Sequence, residues 1–195
     1  VRVNNSVKSL SKEAFARETD EAIKMGYTLN SEHIPDKSIS SGLVAAVEYH
    51  NAKAVVLGFP VNGGNSNFQK VLENVIENVL CPVIVIRFFG QLHTERILVP
   101  ITDMEDLTEV YEIICALNRV GEHKIQLLFM MSSIARQKEI EQTITDVEQW
   151  LDSQEEKIHI QIQATPTDSR VEVICKVAEQ YDLVVIGASR TRGVS

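Results

Sequence analysis

The chain has 195 residues, 44% of them hydrophobic and 24% charged, with a formal net charge of −8. Such a length buries a substantial core without disulfides or metals, and the acidic balance argues against a nucleic-acid-binding surface, which needs a concentrated basic patch. No apolar run approaches the roughly 20 residues that span a bilayer; the longest, near residues 79–86 and 97–101, are strand-sized.

In chain order, residues 1–3 read as the tail of a strand. Ser11 is an N-cap for a helix running to about Met25, with Ala14, Phe15, Ala22 and Ile23 at helical spacing, and Gly26 stops it. Residues 27–34 alternate loosely as a strand, and residues 38–51 form a second helix, apolar on one face. Residues 54–59 are a continuous apolar strand, the pattern expected when both faces of a parallel sheet are covered. Gly63, Gly64 and neighbouring asparagines make residues 61–67 a loop. A helix follows over 68–79, with Val71, Leu72, Val75, Ile76 and Val79 inward, then a β-branched strand over 82–88.

The short polar connection 90–94 is the expected domain boundary, dividing the chain into units 1–90 and 94–195. The second unit opens with a strand over 95–101 and a helix over 104–120, where Leu107, Val110, Tyr111, Ile114 and Leu117 recur at helical spacing. Strand 124–131, helix 134–153, strand 158–164, helix 168–181 and strand 182–187 complete it. Regular strand–helix alternation predicts an α/β fold with an open parallel sheet and right-handed crossovers in each unit.

An internal echo supports two copies. Val55-Val56-Leu57-Gly58 and Val184-Val185-Ile186-Gly187 are both apolar strands ending in glycine, each preceded by an apolar helix. Leu43, Val44 and Val47 repeat the spacing of Val173, Ile174 and Val177. Strands of this kind carry ligands at their carboxyl ends in open parallel sheets.

The order of segments resembles the universal stress protein family (UspA-like). Ile97-Leu98-Val99-Pro100 is similar to that family's first strand, residues 125–131 to its second, and Asp182-Leu183-Val184-Val185-Ile186-Gly187 to the strand before its phosphate loop. In the first unit, Cys81-Pro82-Val83-Ile84-Val85-Ile86 looks like the closing strand. The resemblance implies two tandem Rossmann-like units of the adenine-nucleotide alpha-hydrolase type, both incomplete at the chain ends. Starting at Val1 and stopping at Ser195, the chain is expected to be a fragment of a longer polypeptide.

In the nucleotide-binding branch of that family, an acidic residue after the first strand holds the ribose and a G-x2-G-x9-G-[ST] loop holds the phosphates through backbone N–H groups. Carried onto the second unit, this implies an ATP or other adenine-nucleotide site at Thr102, Asp103, Gly187, Ala188, Ser189, Arg190 and Arg192. Thr102 occupies the usual acidic position and Asp103 lies one residue later; Arg190 stands where the second glycine would be. In the first unit Gly58 fits, Val61 takes the second glycine position, and no Gly-Ser pair follows in register, so this copy reads as structural.

Each of these residues carries a plainer reading as well. Arg190 and Arg192 are anion contacts or solvated loop residues; Asp103 is a ribose ligand or the N-cap of the helix at Met104; Met130 and Met131 touch an adenine or pack a strand end. Cys81, Cys115 and Cys175 are scattered and odd in number, which fits reduced thiols of a cytosolic protein, and no metal-ligand spacing is present. No nucleophile–base pattern points to an enzyme. The function expected from the resemblance is regulatory or sensory; the alternative is a structural dimerisation module that binds no nucleotide. Family members occur in tandem as cytosolic tails of membrane transporters, including amino-acid permeases and ion transporters, and pair through the closing strand. The resemblance therefore also implies a transporter domain in the same polypeptide and a homodimer or intramolecular pseudo-dimer.

Overall fold

A computed structural model describes residues 2–4, 16–30, 32–60, 66–87 and 94–187. The chain divides into two compact units, Val1–Phe89 and Gly90–Ser195.

The first unit runs β1 (Arg2–Asn4), α1 (Ala16–Lys24), β2 (His33–Pro35), α2 (Ile39–His50), β3 (Val55–Gly58), α3 (Ser66–Asn78) and β4 (Val83–Ile86). Its strands pair in parallel as two ribbons, β1 with β2 and β3 with β4. α2 starts where Ser38 Oγ accepts the Ser41 amide at 3.1 Å, an N-cap that supplies one of the donors left over at a helix start. Asp36 braces that cap, accepting from the Ser38 amide at 3.1 Å and the Ser41 hydroxyl at 2.5 Å. Asn51, in the left-handed region at φ 47°, ends the helix. Leu43, Val44 and Val47 of α2 and Val71 and Val75 of α3 pack on Val55 and Leu57. Both helices therefore lie on one face of the β3–β4 ribbon.

The other face departs from expectation. A continuous apolar strand predicts cover on both sides, yet Val56, which points away from α2 and α3, is 58% exposed. A second departure lies upstream: of the predicted strand 27–34 only residues 33 and 34 are extended and paired, within His33–Pro35. Tyr27 and Leu29 are exposed, so their alternation has no core to face.

The second unit runs β5 (Arg96–Ile101), α4 (Met104–Val120), β6 (Lys124–Met131), α5 (Gln137–Ser153), β7 (Ile160–Pro166), α6 (Arg170–Ala178) and β8 (Leu183–Val184). Its four strands form one parallel sheet in the order β7-β6-β5-β8. Successive residues of β5 face opposite sides. Ile97, Val99 and Ile101 meet Leu107, Val110 and Ile114 of α4 and Val147 of α5, while Leu98 meets the side covered by Val173, Ile174 and Val177 of α6. The sheet is thus doubly wound, with α4 and α5 on one face and α6 on the other. α5 begins at Gln137, not at residue 134: Ile134 is exposed, and Glu139 folds back to accept the Arg136 amide at 2.6 Å and fix the start. α6 and β8 are also shorter than their sequence pattern suggests.

Parallel pairing with Rossmann-like strand–helix alternation makes this an α/β protein, doubly wound in its second unit. Among the described residues, no helix is long and apolar enough to cross a membrane.

Candidate functional site

The order β7-β6-β5-β8 creates a reversal. From β5 the chain steps outward to β6 and β7, then α6 carries it back across to β8 on the other side of β5. The crevice beyond the carboxyl ends of β5 and β8 is the switch point where such sheets bind ligands.

β5 delivers Ile101 into the core and leaves Thr102 and Asp103 at the rim. Asp103 is extended and caps α4, its Oδ1 accepting the Asp106 amide at 3.0 Å. Asp106 then turns back: its Oδ2 accepts the Thr102 amide at 2.9 Å and the Thr102 hydroxyl at 2.7 Å. Asp106 is only 7% exposed, the one charged side chain among the described buried residues. These bonds knot the rim of β5 to the first turn of α4. They also put the carboxylates of Asp103, Glu105 and Asp106 at the positive end of the helix dipole.

Gly187 borders the crevice from the β8 side. A Cβ there would lie 2.7 Å from Val110 Cγ1 and 3.3 Å from the Asp106 carbonyl oxygen. The glycine is required because α4 comes this close. β8 is held beside β5 by the Val185 amide, which donates to the Leu98 carbonyl at 2.9 Å. At the opposite end of the strands Asp182 takes the Arg96 amide at 3.0 Å and its guanidinium Nη2 at 2.9 Å.

Of the residues expected at a nucleotide site, Thr102 and Asp103 follow β5 and Gly187 follows β8 at the same end of the sheet, with Asp103 serving as the N-cap. Ala188, Ser189, Arg190 and Arg192 lie outside the described residues. Met130 is buried against the α6 side and Met131 packs toward the α4–α5 side, so both serve as strand-end packing. Asp106 was not singled out by the sequence reading. Its signal was the Asp-x-x-Asp spacing of Asp103 and Asp106, a relative of the capping box in which the third helical residue reaches back. A second rim contact also went unread: Ser133, after β6, donates its hydroxyl to Asp168 ahead of α6.

The corresponding corner of the first unit has different chemistry. A cavity of about 350 Å³ at Gly58 is lined by Ile39, Leu43, Leu57, Asn67, Phe68 and Val71. Among the described lining residues Asn67 is the one with a polar side chain, and none carries a positive charge. Among the described residues, no group of three or more His, Cys, Asp or Glu is arranged to hold a metal.

Deeper in the second unit, Tyr111 donates its hydroxyl to the Glu156 carbonyl at 2.6 Å and packs edge-on against Trp150. Burial, with a contribution from Cys115, pushes the Tyr111 phenol up to about 12. Burial likewise raises the Cys115 thiol, which makes it a packing group rather than a nucleophile.

Comparison with protein-family profiles, with curated proteins and with solved structures gives no match.

Proposed function

We propose that the chain is a pair of universal-stress-protein-type units with a regulatory or sensory role, the second of which takes an adenine nucleotide at the crevice between β5 and β8. The observation that carries this reading is the reversal of strand order at β5, flanked by Thr102 and Asp103 on one side and Gly187 on the other. In this reading Thr102 and Asp103 face the sugar, and the chain from Gly187 through Ala188, Ser189, Arg190 and Arg192 contacts the phosphates by backbone amides and guanidinium groups. The first unit, with its apolar corner at Gly58, acts as the structural partner. Service as the soluble tail of an amino-acid or ion transporter rests on the family resemblance alone; membrane fractionation of the full polypeptide tests it.

Calorimetric titration with ATP, ADP, AMP and a cyclic dinucleotide tests the site. The expected result is saturable heat with an adenine nucleotide, abolished by the double change Arg190→Ala and Arg192→Ala. Silence at millimolar ligand overturns the reading, because even a Kd of about 1 mM corresponds to roughly −4 kcal/mol.

A structural dimerisation module is the second reading. It is favoured by the three carboxylates at the start of α4, which occupy the helix end that would otherwise attract a phosphate. A silent titration together with a dimer in sedimentation supports that alternative.

A further inference from the structure

β7 is an edge strand of the second sheet, separated from β8 by β6 and β5. Its pairing with β6 runs without a bulge from Ile160 to Pro166. The Thr167 amide donates to the Met131 carbonyl at 2.9 Å. Residues 161, 163 and 165 point the same way, because alternate residues of a parallel strand bond to the same neighbour. The main-chain groups of Ile160, Ile162 and Ala164 therefore face the open edge. Pro166 is next in that series and has no N–H to offer. Among the described residues, β7 pairs with no strand but β6.

Edge strands that stay single are blunted by charges, bulges or short length. This one is seven residues long, and residues 158–167 contain no Asp, Glu, Lys or Arg. Ile160, Ile162 and Ala164 pack on the α4–α5 side of the sheet. Gln161 and Gln163 lie on the other face and are exposed. A row of hydrogen bonds crosses that face toward the edge. The Tyr181 hydroxyl donates to Gln126 Oε1, and Gln126 Nε2 donates to Gln163 Oε1 at 2.5 Å. Gln163 Nε2 then turns along the strand to Thr165 Oγ1 at 3.2 Å.

The pattern of this edge is self-complementary about Ile162. We propose that β7 joins a second copy of this chain edge to edge, antiparallel, on a two-fold axis at Ile162. Ile162 then faces the partner's Ile162, and Ile160 faces the partner's Ala164, each pair exchanging two main-chain bonds. Gln161 faces the partner's Gln163 at the closer, non-hydrogen-bonded position. There its side-chain amide donates to the Oε1 lone pair that Gln126 leaves over. The first charges beyond the neutral run, Lys157 and Asp168, are opposite in sign, and antiparallel pairing sets one beside the other. An axis at Gln163 instead sets Pro166 against Ile160, whose carbonyl then finds no donor. An unrelated extended peptide satisfies the same amides; the matched glutamines single out a second copy. The pairing is independent of the nucleotide reading, because it uses the edge of the sheet farthest from β8.

The test follows sedimentation and hydrogen exchange of the full chain over a concentration series. The expected result is a monomer–dimer equilibrium in which the Ile160, Ile162 and Ala164 amides slow by about tenfold or more as the dimer fills. Gln161→Lys with Gln163→Lys sets like charges across the axis at two exposed positions. This variant keeps the fold, read by circular dichroism, and weakens the dimer by about tenfold or more. Gln161→Glu with Gln163→Glu does the same, and mixing the two variants restores the dimer. A chain that stays monomeric at its highest soluble concentration overturns the proposal. So does a dimer that both variants retain, which assigns the contact to another surface. Protection of the three amides that ignores concentration assigns the edge to cover from within one chain and likewise overturns it. The exchange series on the parent chain decides the matter even where a variant fails to fold.

Discussion

Gly187 and Gly58 look alike in the sequence, yet physical chemistry separates them. Gly187→Ala forces Cβ against Val110 and the backbone of Asp106, and should cost about 1–3 kcal/mol in urea denaturation. Gly58→Ala has open space and should change stability by less than about 1 kcal/mol. Equal losses at the two sites would contradict this account of the corners. Asp106 carries the rim: Asp106→Ala leaves the Thr102 amide and hydroxyl without this acceptor and should destabilise by about 1–3 kcal/mol. Tyr111 sets an alkaline limit. Its folded pKa is raised from 10.0 to about 12, so the folded state holds the proton longer than the unfolded chain. Stability is therefore fully present below pH 10 and falls as pH rises toward 12. Tyr111→Phe should be less stable at neutral pH, having lost the bond to Glu156, but flatter over that alkaline window; a slope identical to that of the parent chain would refute the assignment. Little of this was visible beforehand. The sequence marked Gly187 as a corner but gave no sign of whether a ligand or a helix demanded it. Asp103 was legible as a cap because capping is local, whereas the burial of Asp106 depends on how α4 packs.

At the scale of elements, legibility tracked the length of the apolar stripe. The helix Met104–Val120 and the strand Lys124–Met131 match their sequence patterns residue for residue, because each repeats its period through a core that faces it. Short elements were less legible. β8 has two residues and leans on partners far away in sequence, the Leu98 carbonyl and the Arg96–Asp182 pair. Asp182→Ala should cost about 1 kcal/mol, limited by the solvent around the half-exposed Arg96 side chain. Its clearer signature is early exchange of the Val185 amide, ahead of the β5–β6 amides; uniform exchange across the sheet would show that the pair does not hold β8. The loose alternation of residues 27–34 misled for the complementary reason: it had the period of a strand but no surface to pack against.

At the scale of the molecule, strand order was inferred only as alternation, since no local pattern says which side of β5 receives β8. The two units differ in how well their sheets are covered. The second packs both faces of a four-stranded sheet, whereas the described core of the first is one cluster around Val55, Val75 and Val79. Urea should therefore unfold the first unit before the second, giving two transitions when exchange is followed unit by unit. A single coincident transition would mean that the units share their stability.

The proposed adenine-nucleotide site lies at the carboxyl ends of β5 and β8, where the amide resonances of Thr102 and Gly187 report on it directly. On titration with ATP both should shift along one saturable curve while Val56 and Gly58 stay in place. Unmoved Thr102 and Gly187 at millimolar ATP, or shifts confined to the first unit, would contradict the claim.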